Sequence, residues 1–173
     1  LRALPADAMY NWVFSMDAGP AGQEGWRTAT SDQPFWLEAF DGAHRITDLD
    51  GATYLQFTEI RDWEGQSFAG LAEAAVARAE ARDNPALIID LRRCLGGDGS
   101  LNDGFIEALA NSERLNREGR LMILTSRSTH SAAVMLVSAL EQRTEAVFIG
   151  QGTADRPNHY GETNIFVTPN SML

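Results

Sequence analysis

The sequence predicts an α/β fold built on a mainly parallel sheet. Three short runs of almost purely apolar residues carry this prediction, because such runs are typical of strands buried on both faces. Between them lie segments whose apolar residues recur at helical spacing. Alternation of this kind gives parallel strands joined by right-handed crossovers. The strands are expected at residues 86–91, 120–125 and 146–149, and the helices at residues 67–83, 101–110 and 131–142.

Two further strands complete the predicted core. Residues 53–57 are rich in β-forming side chains, and residues 164–167 form a last short apolar run. The first fifty residues are rich in turn-forming glycines and prolines, with aromatic side chains between them. We therefore expect an accessory segment over residues 1–52, packed on a core over residues 53–173. The chain starts on Leu1 rather than Met, which favours a processed or excised piece of a longer protein.

Composition excludes several classes of function. The 173 residues carry a formal net charge of −10, and the 14 basic residues are all Arg. A chain this acidic offers no basic surface for nucleic acid or for an anionic membrane. One Cys and three scattered His residues give neither a disulfide framework nor a metal-ligand motif. No apolar stretch is long enough to insert in a membrane, and we expect neither a cofactor nor a metal.

Residues with chemical potential follow three of the predicted strands. Gly96 and Gly97 follow the first buried run, Ser131 opens the helix after the second, and His159 lies in a polar loop after the third. Ligands of parallel sheets bind beyond the carboxyl ends of the strands, where these segments should converge. Paired glycines can expose backbone N–H groups, and a helix N-terminus favours developing negative charge. Together these are the parts of an acyl-transfer site.

Each segment also has a structural interpretation. The glycine pair alone could be a tight strand-to-helix turn, because glycine tolerates such backbones. The Ser131 hydroxyl could be a helix cap. A loop histidine such as His159 is more often merely solvated. It is the expected convergence of the three segments that favours chemistry.

Three motifs in this order resemble the tail-specific, or C-terminal-processing, serine peptidases. An aliphatic strand followed by Asp90-Leu91-Arg92 and the glycine pair resembles that family's D-L-R-x-N-x-G-G signature. Residues 128–133 resemble its T-x-S-A-A nucleophile segment, and residues 148–153 resemble its V-G-E-x-T segment. The loop P-N-H-Y-G resembles one bacterial branch. The resemblance implies a Clp protease/crotonase-like β-β-α superhelix and an exported bacterial protein.

The resemblance assigns roles to particular residues. Ser131 would be the nucleophile, and the N–H of Gly96 or Gly97 with that of Ala132 would form the oxyanion hole. The best-known members use a Lys as the general base, but the matching position here is Arg156. An Arg side chain cannot give up its proton at usable pH, so it cannot be that base.

A histidine is the expected substitute. We favour His159, oriented by Glu162 or Asp155, because an unperturbed imidazole can accept a hydroxyl proton. His130 ranks second, because it is adjacent to Ser131 in sequence and neighbouring residues at the start of a helix point in different directions. Arg156 could instead bind a substrate carboxylate.

These observations predict a serine-type peptidase that acts on peptides or proteins through an acyl-enzyme on Ser131. The alternative is a catalytically inactive, peptidase-like protein that binds a peptide or an apolar ligand. A crotonase-like acyl-CoA enzyme ranks third, because the T-x-S-A-A segment has no role there. Related folds often associate, so a homo-oligomer is also an expectation.

Overall fold

The computed structural model describes residues 34–38, 40 and 44–161. Within them, five strands and three α-helices alternate after an initial hairpin. The strands are β1 His44–Leu49, β2 Ala52–Phe57, β3 Leu87–Asp90, β4 Leu121–Thr125 and β5 Val147–Gly150, and the helices are α1 Phe68–Glu80, α2 Asn102–Ala110 and α3 Ala132–Arg143. The prediction of an α/β fold is confirmed.

The strands form one sheet in chain order, from β1 to β5. The pairs β2–β3, β3–β4 and β4–β5 are parallel, so the predicted, mainly parallel sheet is confirmed. The finer β-β-α superhelix stays a prediction. Sequence patterns did not reveal β1, which pairs antiparallel with β2 across a turn at Gly51. Polar side chains interrupt β1, as is common for an exposed edge strand.

The three helices pack along the sheet. Right-handed crossovers that always advance in one direction place their helices on one face. In agreement with this, α1 packs on α2 and α2 on α3. Ser67 begins α1 as predicted, because its hydroxyl accepts the Gly70 N–H at 3.0 Å. Aromatic rings of α1 and α2 fill the core between the helices and β2, where Phe68 and Phe105 stack at 4.5 Å.

Strand β5 differs from its prediction. We expected residues 146–149 to be buried on both faces, and this is wrong, because Val147 and Ile149 are 39% and 47% exposed. The strand is the last one of the described sheet and has a neighbour on one side only. The strand predicted at residues 164–167 lies outside the described residues.

The chain divides into two units, Leu1–Phe40 and Asp41–Leu173. The described part of the first unit contains a single 3₁₀ turn, Phe35–Leu37, and the second unit contains the sheet. The predicted division after residue 52 stays a prediction. No helix among the described residues is long and apolar enough to span a membrane.

Candidate functional site

The loops that follow β4 and β5 lie against each other at the carboxyl edge of the sheet. The Thr125 hydroxyl donates to the Gln151 carbonyl at 2.8 Å, and the Gln151 N–H donates to the Thr125 carbonyl at 3.1 Å. Further along, the Ala154 N–H donates to the Thr129 carbonyl at 2.9 Å. These bonds bring residues 151–155 next to the start of α3, where Ser131 lies.

Ser131 has a strained backbone. Its φ of 53° and ψ of −127° make it the one non-glycine residue with positive φ in the part of the chain that the structure describes. Such a conformation costs of the order of 1–3 kcal/mol and persists only where its surroundings enforce it. Ser131 is the last residue of the loop between β4, which ends at Thr125, and α3, which begins at Ala132.

The Ser131 hydroxyl does not cap α3. It forms no capping hydrogen bond, and no described residue accepts or donates a hydrogen bond to it. The structural interpretation of this serine as a helix cap is therefore wrong. The partly exposed hydroxyl of Ser131 therefore lies unpaired at the N-terminus of a buried helix.

The first residue of the glycine pair, Gly96, lies directly against this serine. A Cβ atom added at Gly96 would be 2.7 Å from the Ser131 Cβ and 3.0 Å from the Ala132 nitrogen. A Cβ atom added at Gly97 would be 2.1 Å from the Ile60 carbonyl oxygen. Their φ angles of 101° and 137° also favour glycine. Only glycine therefore fits at both positions, and the predicted convergence of this turn with Ser131 is present.

Two backbone N–H groups remain available beside Ser131. Burial raises the pKa of the Cys94 thiol, and the nearby Gly96 N–H opposes this with a smaller, lowering effect. The N–H groups of Gly97 and Ala132 find no acceptor among residues 44–161. Gly97 is exposed whereas Gly96 is buried. Unpaired N–H groups beside a hydroxyl suit the stabilisation of an oxyanion. Gly96 packs against Ser131 and Gly97 packs against Ile60, so the choice between the two glycines stays a prediction.

Asp155 contacts both Ser131 and the neighbouring His130. Its Oδ2 accepts the Ser131 N–H at 3.1 Å and lies 3.1 Å from the His130 Nε2. The other ring nitrogen of His130, Nδ1, lies 3.4 Å from the Leu95 carbonyl oxygen. Both ring nitrogens of His130 thus face oxygen acceptors. Asp155 holds the backbone of Ser131 in place, a contact that the sequence did not predict.

His159 makes its described contacts inside its own loop. Its Nδ1 lies 2.9 Å from the Arg156 carbonyl oxygen, and its ring packs near Gly161. Among the described residues, no hydrogen bond joins His159 to Ser131 or to Asp155. Arg156 is exposed, and Glu162 lies outside the described residues. The roles predicted for these three residues stay predictions.

A buried aspartate anchors the start of the glycine turn. Asp90 is fully buried, and it accepts the Tyr54 hydroxyl at 2.5 Å and the Arg92 Nη2 at 2.6 Å. It also accepts the Arg92 backbone N–H at 2.9 Å. The interaction with Asp90 raises the pKa of the Arg92 guanidinium against the opposing effect of its burial. The one signal in the sequence was an acidic residue in an otherwise aliphatic strand.

Asn102 supports the other side of the site. This buried residue, at the start of α2, donates from Nδ2 to the Ala132 carbonyl at 3.0 Å. The bond ties α2 to the first residue of α3, next to Ser131. Sequence reasoning gave no hint of it, because the pairing depends on how the two helices pack.

Cys94 lies behind the glycine turn and is fully buried. Burial raises the pKa of its thiol to about 12. The thiolate is the reactive form, so we expect iodoacetamide at pH 8 to modify the native protein far more slowly than the urea-unfolded chain. Mass spectrometry of the intact protein measures this, and rapid modification of the native protein would contradict the burial.

The buried thiol of Cys94 also makes stability depend on pH. As pH rises, this thiol loses its proton in the unfolded chain before it does so in the folded protein, so the free energy of unfolding should fall as pH rises above about 9.

No group of metal-ligating side chains occurs among the residues that the structure describes. The contacts described above bring together a hydroxyl, backbone N–H groups, a histidine–aspartate pair and the loop that holds them. These components suit acyl transfer.

No model of a protein family matches the sequence, and no curated protein sequence matches it. Solved structures do match. One is a protein from Parabacteroides merdae assigned to the peptidases, with 17% identity and a TM-score of 0.52 over 67% of this chain and 45% of that chain. Another is a protein from Bacteroides fragilis assigned to the S41 proteases, with 20% identity and a TM-score of 0.50 over 75% of this chain and 42% of that chain.

The match concerns architecture. This chain spans less than half the length of either solved structure. At these identities the likeness extends to the fold and not to individual residues. The chain therefore has an α/β fold similar to that of S41-type peptidase structures.

Proposed function

We propose that this chain carries the active site of a serine-type peptidase of the tail-specific kind, with Ser131 as the nucleophile. The observation that carries the proposal is the strained backbone of Ser131 against the glycine pair. Strain at one non-glycine residue, with an unpaired hydroxyl and two unpaired N–H groups beside it, has no structural use that we can identify. The fold shared with S41-type structures supports the same conclusion.

The proposed reaction follows from the arrangement. The Ser131 oxygen attacks the carbonyl carbon of a peptide bond and passes its proton to a base. The N–H groups of Gly97 and Ala132 stabilise the resulting oxyanion. The C–N bond then breaks, the amine leaves with a proton, and water hydrolyses the acyl-enzyme.

The proposed reaction needs a base that accepts the proton of the Ser131 hydroxyl. His159 remains our choice, because both ring nitrogens of His130 already face acceptors on Asp155 and Leu95. Replacing His159 with Ala should then abolish turnover, whereas replacing His130 with Ala should disturb the Ser131 backbone through Asp155. A peptide or protein is the proposed substrate.

An inactive binding protein is the second candidate. One observation favours it: the sequence has no Lys, and in the described residues nothing accepts a hydrogen bond from the Ser131 hydroxyl. Such a protein would hold a peptide at the same loops without cleaving it.

A fluorophosphonate probe separates the two candidates. We expect the native protein to be labelled at Ser131, because the probe reacts only with an activated serine, and peptide mapping locates the label. Ser138→Ala is the matched control, since Ser138 lies within α3, and it should be labelled at the wild-type rate. A folded wild-type protein that stays unlabelled between pH 5 and 10 would overturn the peptidase and leave the binding protein.

A further inference from the structure

A pocket lies beside the candidate site, and none of the catalytic roles proposed for this chain involves it. It is a largely solvent-open depression with a volume of about 650 Å³. Arg127 lines it together with the loop after β5; the loop residues are Gln151, Gly152, Thr153 and Ala154.

The loop that lines the pocket continues directly into the candidate site. Ala154 is bonded to the Thr129 carbonyl, and the next residue, Asp155, accepts the Ser131 N–H. Arg127 stands on the other wall, in the loop between β4 and α3. A peptide that reaches Ser131 would therefore place a neighbouring part of its chain in this pocket.

The pocket is rich in hydrogen-bond donors. The N–H groups of Gln151 and Ala154 donate to the Thr125 and Thr129 carbonyls, but those of Gly152 and Thr153 meet no acceptor among the residues described. The guanidinium of Arg127 is exposed, and it forms no ion pair with any described residue. One cation and two adjacent N–H groups form a site for an anion.

Among the described residues, the nearby carboxylate of Asp155 does not occupy this site. The Asp155 carboxylate is directed at His130 and at the Ser131 N–H rather than at Arg127. In a chain with a net charge of −10, an Arg127 side chain that has no ion pair with any described residue offers a positive charge to an anionic group.

We propose that this pocket binds a carboxylate of the peptide substrate and that Arg127 is a specificity-determining residue. This inference rests on the proposed function, because it takes the ligand to be a peptide. Arg127 and the two free N–H groups hold the carboxylate while the adjacent peptide bond lies at Ser131. The carboxylate belongs either to an acidic side chain or to the C-terminus of the peptide.

Binding to the Ser131→Ala variant tests the proposal without any need for hydrolysis. The probes are coumarin-labelled hexapeptides of alternating alanine and leucine, which carry Glu or Gln next to a free or amidated C-terminus. Fluorescence anisotropy measures each Kd at low salt. We expect peptides with the recognised carboxylate to bind about 10- to 100-fold more tightly than the neutral peptide, as charged hydrogen bonds allow. The pair that differs only at Glu and Gln, and the pair that differs only in amidation, identify which carboxylate is bound.

Variants locate the effect. Arg127→Gln should remove the preference for the carboxylate, whereas Arg117→Gln should retain it at the same change in net charge, because the Arg117 side chain is bonded to the Glu113 carbonyl away from the pocket. If Arg156→Gln removes the preference and Arg127→Gln does not, the proposal is wrong. Equal binding of all four peptides, or no binding of any, overturns it as well.

This result is separable from the fate of the proposed function. Binding that depends on the carboxylate, with no fluorophosphonate labelling of the wild type, overturns the peptidase and keeps the pocket. Fluorophosphonate labelling of the wild type, with no preference for the carboxylate in peptide binding, keeps the peptidase and overturns the carboxylate pocket.

Discussion

Replacing Ser131 with Gly is expected to stabilise the protein against unfolding relative to Ser131→Ala, and to abolish its turnover. The φ of 53° and ψ of −127° at this position suit glycine and strain every residue with a Cβ atom. Relief of that strain should exceed the extra conformational entropy that glycine brings to the unfolded chain. We expect Ser131→Gly to be more stable than Ser131→Ala by about 1 kcal/mol or more.

Both variants should lose hydrolysis, by about 10⁴-fold or more in kcat/KM, because neither has a nucleophile. Urea unfolding followed by circular dichroism gives the stability difference, and a fluorogenic peptide gives the activity. A Gly variant less stable than the Ala variant would show that the backbone at Ser131 is not strained. Turnover that survives in both would show that another residue is the nucleophile.

Removing the Asp90 carboxylate should give the largest loss of stability. Asp90→Ala leaves the Tyr54 hydroxyl and the Arg92 guanidinium without their shared buried acceptor. Breaking a buried pair in this way costs about 3–5 kcal/mol. The same loss should loosen the glycine turn, because the Arg92 backbone N–H is bonded to this carboxylate.

Asp103→Ala is the matched control for this variant. Asp103 also pairs with an arginine, Arg143, at 3.0 Å, but its side chain is 84% exposed. An exposed pair contributes about 0–1 kcal/mol, so the control should unfold near the wild-type urea concentration. If the two variants lose equal stability, the buried network does not hold the turn in the way described.

The sheet was predictable because its signal is local. Strands β3 and β4 are short apolar runs, and Ser67 marks the start of α1 by its own hydroxyl. Strand β1 was missed because its polar side chains hide the alternation of a half-exposed strand. The exposure of β5 was missed because the run of apolar residues that predicts a strand does not reveal whether that strand lies at an edge.

The site was predictable in part, because the order of the elements decides which loops meet. Parallel topology brings the glycine pair and Ser131 to one edge, so their proximity followed from the order of elements. The contact of Asp155 with the Ser131 N–H did not follow, since it depends on the bond between Ala154 and Thr129 that folds one loop onto the other.

The order of the strands has a consequence for how the chain folds. Thr53 pairs with Leu87, Leu87 with Leu121, and Met122 with Val147, so each parallel pairing joins strands that are consecutive along the chain. Among the five described strands, none has to insert between two that are already paired, and each loop that joins a parallel pair spans only one helix and its connections. The sheet can therefore grow strand by strand during synthesis on the ribosome, and the Ser131 turn forms only once the strand that precedes it has docked.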